Sequence, residues 1–193
     1  MKTVLRCAFS EWGPGLGDNN VMGWVTVVVY LVAALGSFRL LAALDRADPD
    51  TPRERLFWGI SAAVMLFLAL NKQLDLQSLL TAVARCHARL SGWYDSRLAV
   101  QELFILGVAA AGVVGLGLMA LLMRSILGRV WLALLGLGFV CAFVLMRAAS
   151  FHHMDALIGT WVLGMKMNWL LELPGPALVA LVAMRRRRAV LAG

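Results

Sequence analysis

The sequence predicts an all-α fold: a polytopic membrane helical bundle of about five transmembrane helices, with an amphipathic helix on its outer face. Three observations lead there. Hydrophobic residues fill 61% of the 193 positions, whereas a soluble domain reaches roughly 45–50% even with glycine counted. Charged residues make up only 15%, against roughly 25% in soluble domains, and mean hydropathy is +0.80. The apolar residues also gather into long stretches separated by charged or proline-bearing segments. A soluble fold of this length cannot hide so much apolar surface, so lipid replaces water around much of it. The composition excludes a soluble enzyme, a disordered chain and a secreted disulfide scaffold.

The whole chain, 1–193, reads as a single integral membrane domain. Residues 1–20 carry Lys2 and Arg6 but no apolar core of the kind a cleavable signal peptide needs. The first span takes residues 21–44, is rich in valine, and has Arg39 near its end. A charged hinge over 45–55 follows, with Pro49 and Pro52. The second span takes 56–74; its apolar part ends at Leu70, short of the ~20 residues a crossing needs, and runs on through Asn71 to Leu74. Residues 76–90 have amphipathic helical spacing, with Leu76, Leu79, Leu80, Val83, His87 and Leu90 on one face and Ser78, Thr81, Arg85 and Arg89 on the other. Trp93 and Tyr94 suit the membrane interface. The third span takes 99–123. Gly107, Ala111 and Gly115 recur in it every fourth residue, and this small-residue face is expected to let another helix pack closely, inside the bundle rather than across a dimer, which is the alternative. The fourth span takes 130–147, and the fifth takes 165–184, stopped by Arg185–Arg188.

Lysine and arginine number 18 against 11 acidic residues, a net charge of +7. No nucleic-acid motif accompanies the excess, so no nucleic-acid partner is expected. The basic residues read instead as a topology signal and as contacts to membrane lipids. With five spans, ten basic residues fall on one side and eight on the other. The four consecutive arginines after the last span place the C-terminus in the cytoplasm and the N-terminus outside. Cys7, Cys86 and Cys141 make no C-x-x-C pair. Cys7 and Cys86 share the outer side and can pair there, although spacing does not fix their distance. Cys141, in mid-span, reads as a packing residue.

The polar residues that a lipid-facing helix avoids cluster at the outer end. Asn71, Lys72, Gln73, Asp75 and Gln77 close the second span, Gln101 and Glu102 open the third, Arg147 ends the fourth, and Lys166, Asn168 and Glu172 lie in the fifth. Glu172 stands 13 residues before Arg185, about 20 Å along a helix, and so within the hydrocarbon layer. There it costs at least ~2–3 kcal/mol unless partnered, and Lys72, Arg97 and Arg147 are the partners within reach. Pro174 and Pro176 follow and should kink the helix and free backbone carbonyls. These residues predict an outward-facing polar pocket, with Lys72, Asp75, Arg97 and Arg147 as ligand-binding groups.

All three histidines also fall on that side. Imidazoles and carboxylates together suit a divalent transition metal such as zinc. His152, Asp155 and His87 are the candidate ligands, with Glu172 or Glu102 as candidate general base. The alternative is that His152 and His153 sit among the headgroups and bond to water and phosphate. No H-x-x-x-H or H-E-x-x-H spacing is present. The adjacent His152 and His153 and the five spans also depart from the seven-span zinc hydrolases of the membrane ceramidase type.

The segment Asn71-Lys72-Gln73-Leu74-Asp75-Leu76-Gln77, followed by Gly92-Trp93-Tyr94 and Arg97, resembles one found in uncharacterised multi-pass bacterial inner-membrane proteins. The resemblance covers mainly residues 56–105. It implies a bacterial inner-membrane protein and carries no known activity. Two functions are expected to compete. One is a non-catalytic subunit or assembly factor of a membrane complex, its pocket binding other membrane-protein subunits, a lipid headgroup or a cofactor. The other is a small metal-dependent enzyme acting on a lipid or quinone-like substrate. A transporter is disfavoured, because five spans without an internal repeat do not build a two-fold alternating-access core.

Overall fold

The computed structural model describes residues 2–12, 21–44, 48, 50–92, 94, 97–149, 161–162 and 165–192. Its helices are α1 (Lys2–Glu11), α2 (Val21–Ala43), α3 (Thr51–Leu74), α4 (Leu76–Leu90), α5 (Arg97–Leu122), α6 (Leu127–Ala149), α7 (Met167–Glu172) and α8 (Pro174–Ala192), with a 3-10 turn over Arg124–Ile126. Strands β1 (Trp161–Val162) and β2 (Met165–Lys166) pair antiparallel, Trp161 opposite Lys166 and Val162 opposite Met165. Five helical stretches are long and apolar enough to cross a membrane: α2, α3, α5, α6 with its preceding turn, and α7 continued by α8. The fold is an all-α bundle, as the sequence predicts.

The spans pack in the order α3, α2, α8, α6, α5. Tyr30, Ala33, Ala34 and Leu40 of α2, Phe57, Trp58 and Met65 of α3, Val130, Ala133 and Val140 of α6, and Val179 and Ala183 of α8 form the main core. Small residues set the closest approaches. A methyl group on Gly136 of α6 would lie 2.8 Å from the Gly175 carbonyl oxygen of α8, and one on Gly175 would lie 2.9 Å from the Gly136 carbonyl oxygen. Buried hydroxyls bond within their own helices: Ser37 donates to the Ala33 carbonyl at 2.8 Å, Ser61 to Phe57 at 2.8 Å and Thr26 to Met22 at 2.9 Å. Such back-bonding is how a span carries hydroxyls without leaving a donor unmet.

Several boundaries differ from the sequence reading. Helix α3 starts at Thr51, inside the expected hinge. Pro52 in the first turn lacks only an N–H that would be unsatisfied there anyway, and Glu54 complements the helix dipole. The α3–α4 junction is Asp75 itself, in the left-handed region at φ 46°, a conformation that short polar side chains tolerate. The fifth span is longer than 165–184 and runs to Ala192, so Arg185–Arg188 are helical rather than a terminus. Residues 2–11, to which the sequence reading assigned no element, form α1.

The expected inward face of α5 is not inward. Among the described residues, Gly107 and Gly115 have nothing within 4 Å of where a side chain would begin, and Ala111 is exposed. The contact with α6 is made on another face, by Gly112 against Cys141. Glycine at that position lets the thiol approach.

Helices α1 and α4 form a satellite. Cys7 and Cys86 are joined by a disulfide, and Ala8, Ala82 and Cys86 make a small core with Val4, Trp12 and Val83. Glu11 takes Arg89 at 2.7 Å and Arg85 at 3.7 Å. Helix α4 therefore turns its Ala82–Cys86 side to α1. Leu80, His87 and Leu90, on the side expected to lie along the membrane, are left uncovered by the protein's described residues.

Candidate functional site

The polar groups at the disulfide end meet at Glu172. Lys72 Nζ lies 3.0 Å from Glu172 Oε2, with side chains 9% and 3% exposed. The Tyr30 hydroxyl donates to the other carboxylate oxygen over 3.5 Å. Lys72 is in the last turn of α3, Tyr30 on α2 and Glu172 at the end of α7, so three elements converge on one carboxylate. Of the three cationic partners expected for Glu172, the fold supplies Lys72. Arg147 is exposed at the end of α6.

The chain breaks directly after the acid. Leu173 separates α7 from α8, its N–H still bonding the Trp169 carbonyl at 3.0 Å. Pro174 and Pro176 have no N–H to offer, so the carbonyls of Leu170 and Glu172 lose the donors a continuous helix would give them. Leu173 itself keeps right-handed helical backbone angles, so the interruption lies in the lost hydrogen bonds. A broken helix with freed carbonyls next to a buried ion pair is tolerated in a span only where protein or a polar cavity surrounds it.

Among the described residues, the polar layer leaves hydrogen-bonding groups unmet. Both amide atoms of Gln73, next to Lys72, and Oδ1 of Asn168, one turn before Glu172, are buried without a hydrogen-bond partner among the described residues. Each such group costs about 1–3 kcal/mol where it stands.

Other predicted site residues are placed differently. Asp75 accepts a hydrogen bond from Ser78 Oγ at 2.6 Å, and its carbonyl takes Trp12 Nε1 at 3.3 Å; it shapes the α3–α4 turn rather than joining Glu172. Glu102 is exposed on α5, and the side chain of Arg97 lies outside the described residues. His152 and Asp155 lie outside them too, and His87 is exposed on α4. Among the described residues, Cys7, Glu11 and Cys86 are close enough together to hold a metal ion. The two sulfurs are bonded to each other, so no thiolate is available there.

A second ionic cluster, which the sequence reading missed, closes the opposite end. Glu54, 1% exposed, accepts two hydrogen bonds from Arg186, 2.8 Å from Nε and 3.1 Å from Nη2. Arg129 lies 3.6 Å from the same carboxylate and 3.1 Å from Asp48. The backbone N–H of Asp50, donated at 2.9 Å, holds the Asp48 carboxyl below its ordinary range, and the Arg129 guanidinium adds to this. The only sequence signal was an acidic hinge and an arginine run that five spans bring to one end. Lys72 stands 18 residues beyond Glu54 on α3, about 27 Å along the axis. The first and last spans of the α3–α2–α8 sandwich are thus joined by an ion pair at each end.

In comparisons with known proteins the chain matches no family model, no curated protein and no solved structure.

Proposed function

We propose that the protein is a non-catalytic subunit or assembly factor of a membrane complex, and that its polar layer around Glu172 receives a polar group from a partner subunit, a lipid headgroup or a cofactor. The observation that carries this reading is the set of orphaned amides. The carboxylate is already closed by Lys72 and Tyr30, as befits a structural pair rather than a free acid or base. Beside it, Gln73 and Asn168 keep buried hydrogen-bonding capacity unmet among the described residues. Unmet buried groups in a native fold call for an explanation, and a polar group brought by a partner supplies one.

Orientation belongs to the same reading. The Cys7–Cys86 disulfide needs an oxidising compartment, and arginine runs favour the cytoplasm. Both support a bacterial inner-membrane protein, multi-pass, with α1 outside and the end of α8 inside.

The test is purification from native membranes in mild detergent, wild type beside Gln73→Leu/Asn168→Leu. Removing orphaned polar groups should leave thermal stability equal or higher while a stoichiometric companion is lost. Stability falling together with association would make the amides merely structural. A chain that purifies alone with one transition metal per molecule would instead favour the metal-dependent enzyme.

A further inference from the structure

The two ends of the bundle differ in charge far more than in their number of basic residues. By chain order, ten arginines and four carboxylates belong to the arginine end, while eight basic and seven acidic residues belong to the disulfide end. Nearly all of the net +7 therefore sits at one end. The described carboxylates there are engaged: Asp50 by Arg53, Asp48 by Arg129, and Glu54 by Arg186 and Arg129. Arg55 donates to the Leu41 carbonyl at 2.8 Å. None of these acids pairs with Arg39 or Arg187, and Nε of Arg187 is buried with no hydrogen-bond partner among the described residues.

The two arginines flank one helix junction. Gly36 of α2 lies against α8, where a methyl group on it would sit 3.5 Å from Ala183 Cβ. Both helices run toward the arginine end. Arg39 follows Gly36 by three residues and Arg187 follows Ala183 by four, so each continues the contacting side of its helix by about one turn. The surface one turn back is apolar and uncovered: Leu35, four residues before Arg39, is 48% exposed, and Met184, three before Arg187, is 42% exposed. Guanidinium groups at the boundary with bare apolar side chains just beneath them match an amphiphile with an anionic head.

We infer that the α2–α8 junction at the arginine end binds an anionic phospholipid, its phosphodiester between Arg39 and Arg187 and its acyl chains along Leu35 and Met184. A phosphodiester offers the acceptor oxygens that the engaged carboxylates do not, and guanidinium is the side chain best suited to it. This site lies at the opposite end from the Glu172 layer and does not depend on the proposed function.

Native mass spectrometry of the delipidated full chain, titrated with phosphatidylglycerol and, separately, phosphatidylcholine, tests it. Wild type should retain phosphatidylglycerol preferentially. Arg39→Gln/Arg187→Gln should weaken that binding about thirtyfold, from two interfacial arginine contacts. Arg185→Gln/Arg188→Gln, an equal charge change on exposed positions, should weaken it only a fewfold, and Arg39→Lys/Arg187→Lys should keep most of it. Equal losses in the two glutamine variants would reduce the effect to a diffuse field and overturn the site. Equal retention of the two lipids would do the same, and displacement by millimolar inorganic phosphate would assign the arginines to a free anion instead.

Discussion

A carboxylate within a membrane span needs a partner, and Glu172 has two, Lys72 on one oxygen and Tyr30 on the other. The need for a partner was legible in the sequence, because depth follows from counting residues back from Arg185, and Lys72 was among the groups that could answer it. What no count along the chain reveals is which cation wins, since that depends on α7 ending beside the last turn of α3. Gly136 and Gly175 show the same limit. Each is an ordinary small residue in an apolar run until the fold presses one backbone onto the other. Gly136→Ala should destabilise the bundle by about 1–3 kcal/mol, as overpacking does, because the new methyl meets a carbonyl oxygen rather than a flexible side chain. Gly107→Ala, with open space around it, should cost nothing or stabilise its helix slightly. Thermal unfolding of the two variants in one detergent checks the contrast.

At the scale of elements, existence was easier to read than orientation. The periodicity of 76–90 marks α4 to the residue, but nothing in it shows that the Ala82–Cys86 side packs on α1, a short helix that docks against small residues. Helix α1 escaped notice because nothing long or strongly apolar marks it. The stripe Gly107, Ala111, Gly115 has the spacing of a packing face, but α5 touches the described bundle mainly through α6, on the face bearing Gly112. A pattern specifies a surface, not its neighbour. The disulfide is the covalent tie of α1 to the rest, beside a small core and the Glu11 and Trp12 polar contacts. Cys7→Ser/Cys86→Ser should therefore loosen α1 while sparing the spans. Amide hydrogen exchange should rise across residues 2–11 and 76–90 and stay unchanged in α2 and α8; protection of α1 without the bond would show that packing alone suffices.

For the whole molecule, the α3–α2–α8 sandwich is bracketed by two ion pairs, Lys72–Glu172 at one end and Glu54–Arg186 at the other. The disulfide and the arginine run fall at opposite ends of the five helices long and apolar enough to cross a membrane. With the proposed orientation, an impermeant maleimide applied to intact cells should label Ser10→Cys in a Cys141→Ser background and reach Ala189→Cys only after permeabilisation. Labelling of both from one side would remove a span.

The Lys72–Glu172 link is the claim on which the rest turns, and a double-mutant cycle tests it most directly. Lys72→Met or Glu172→Met alone leaves a buried charge without its partner and should cost about 3–5 kcal/mol, whereas Lys72→Met/Glu172→Met should recover most of that loss. Single losses that simply add in the double variant would mean that the two side chains do not meet, and would contradict the account.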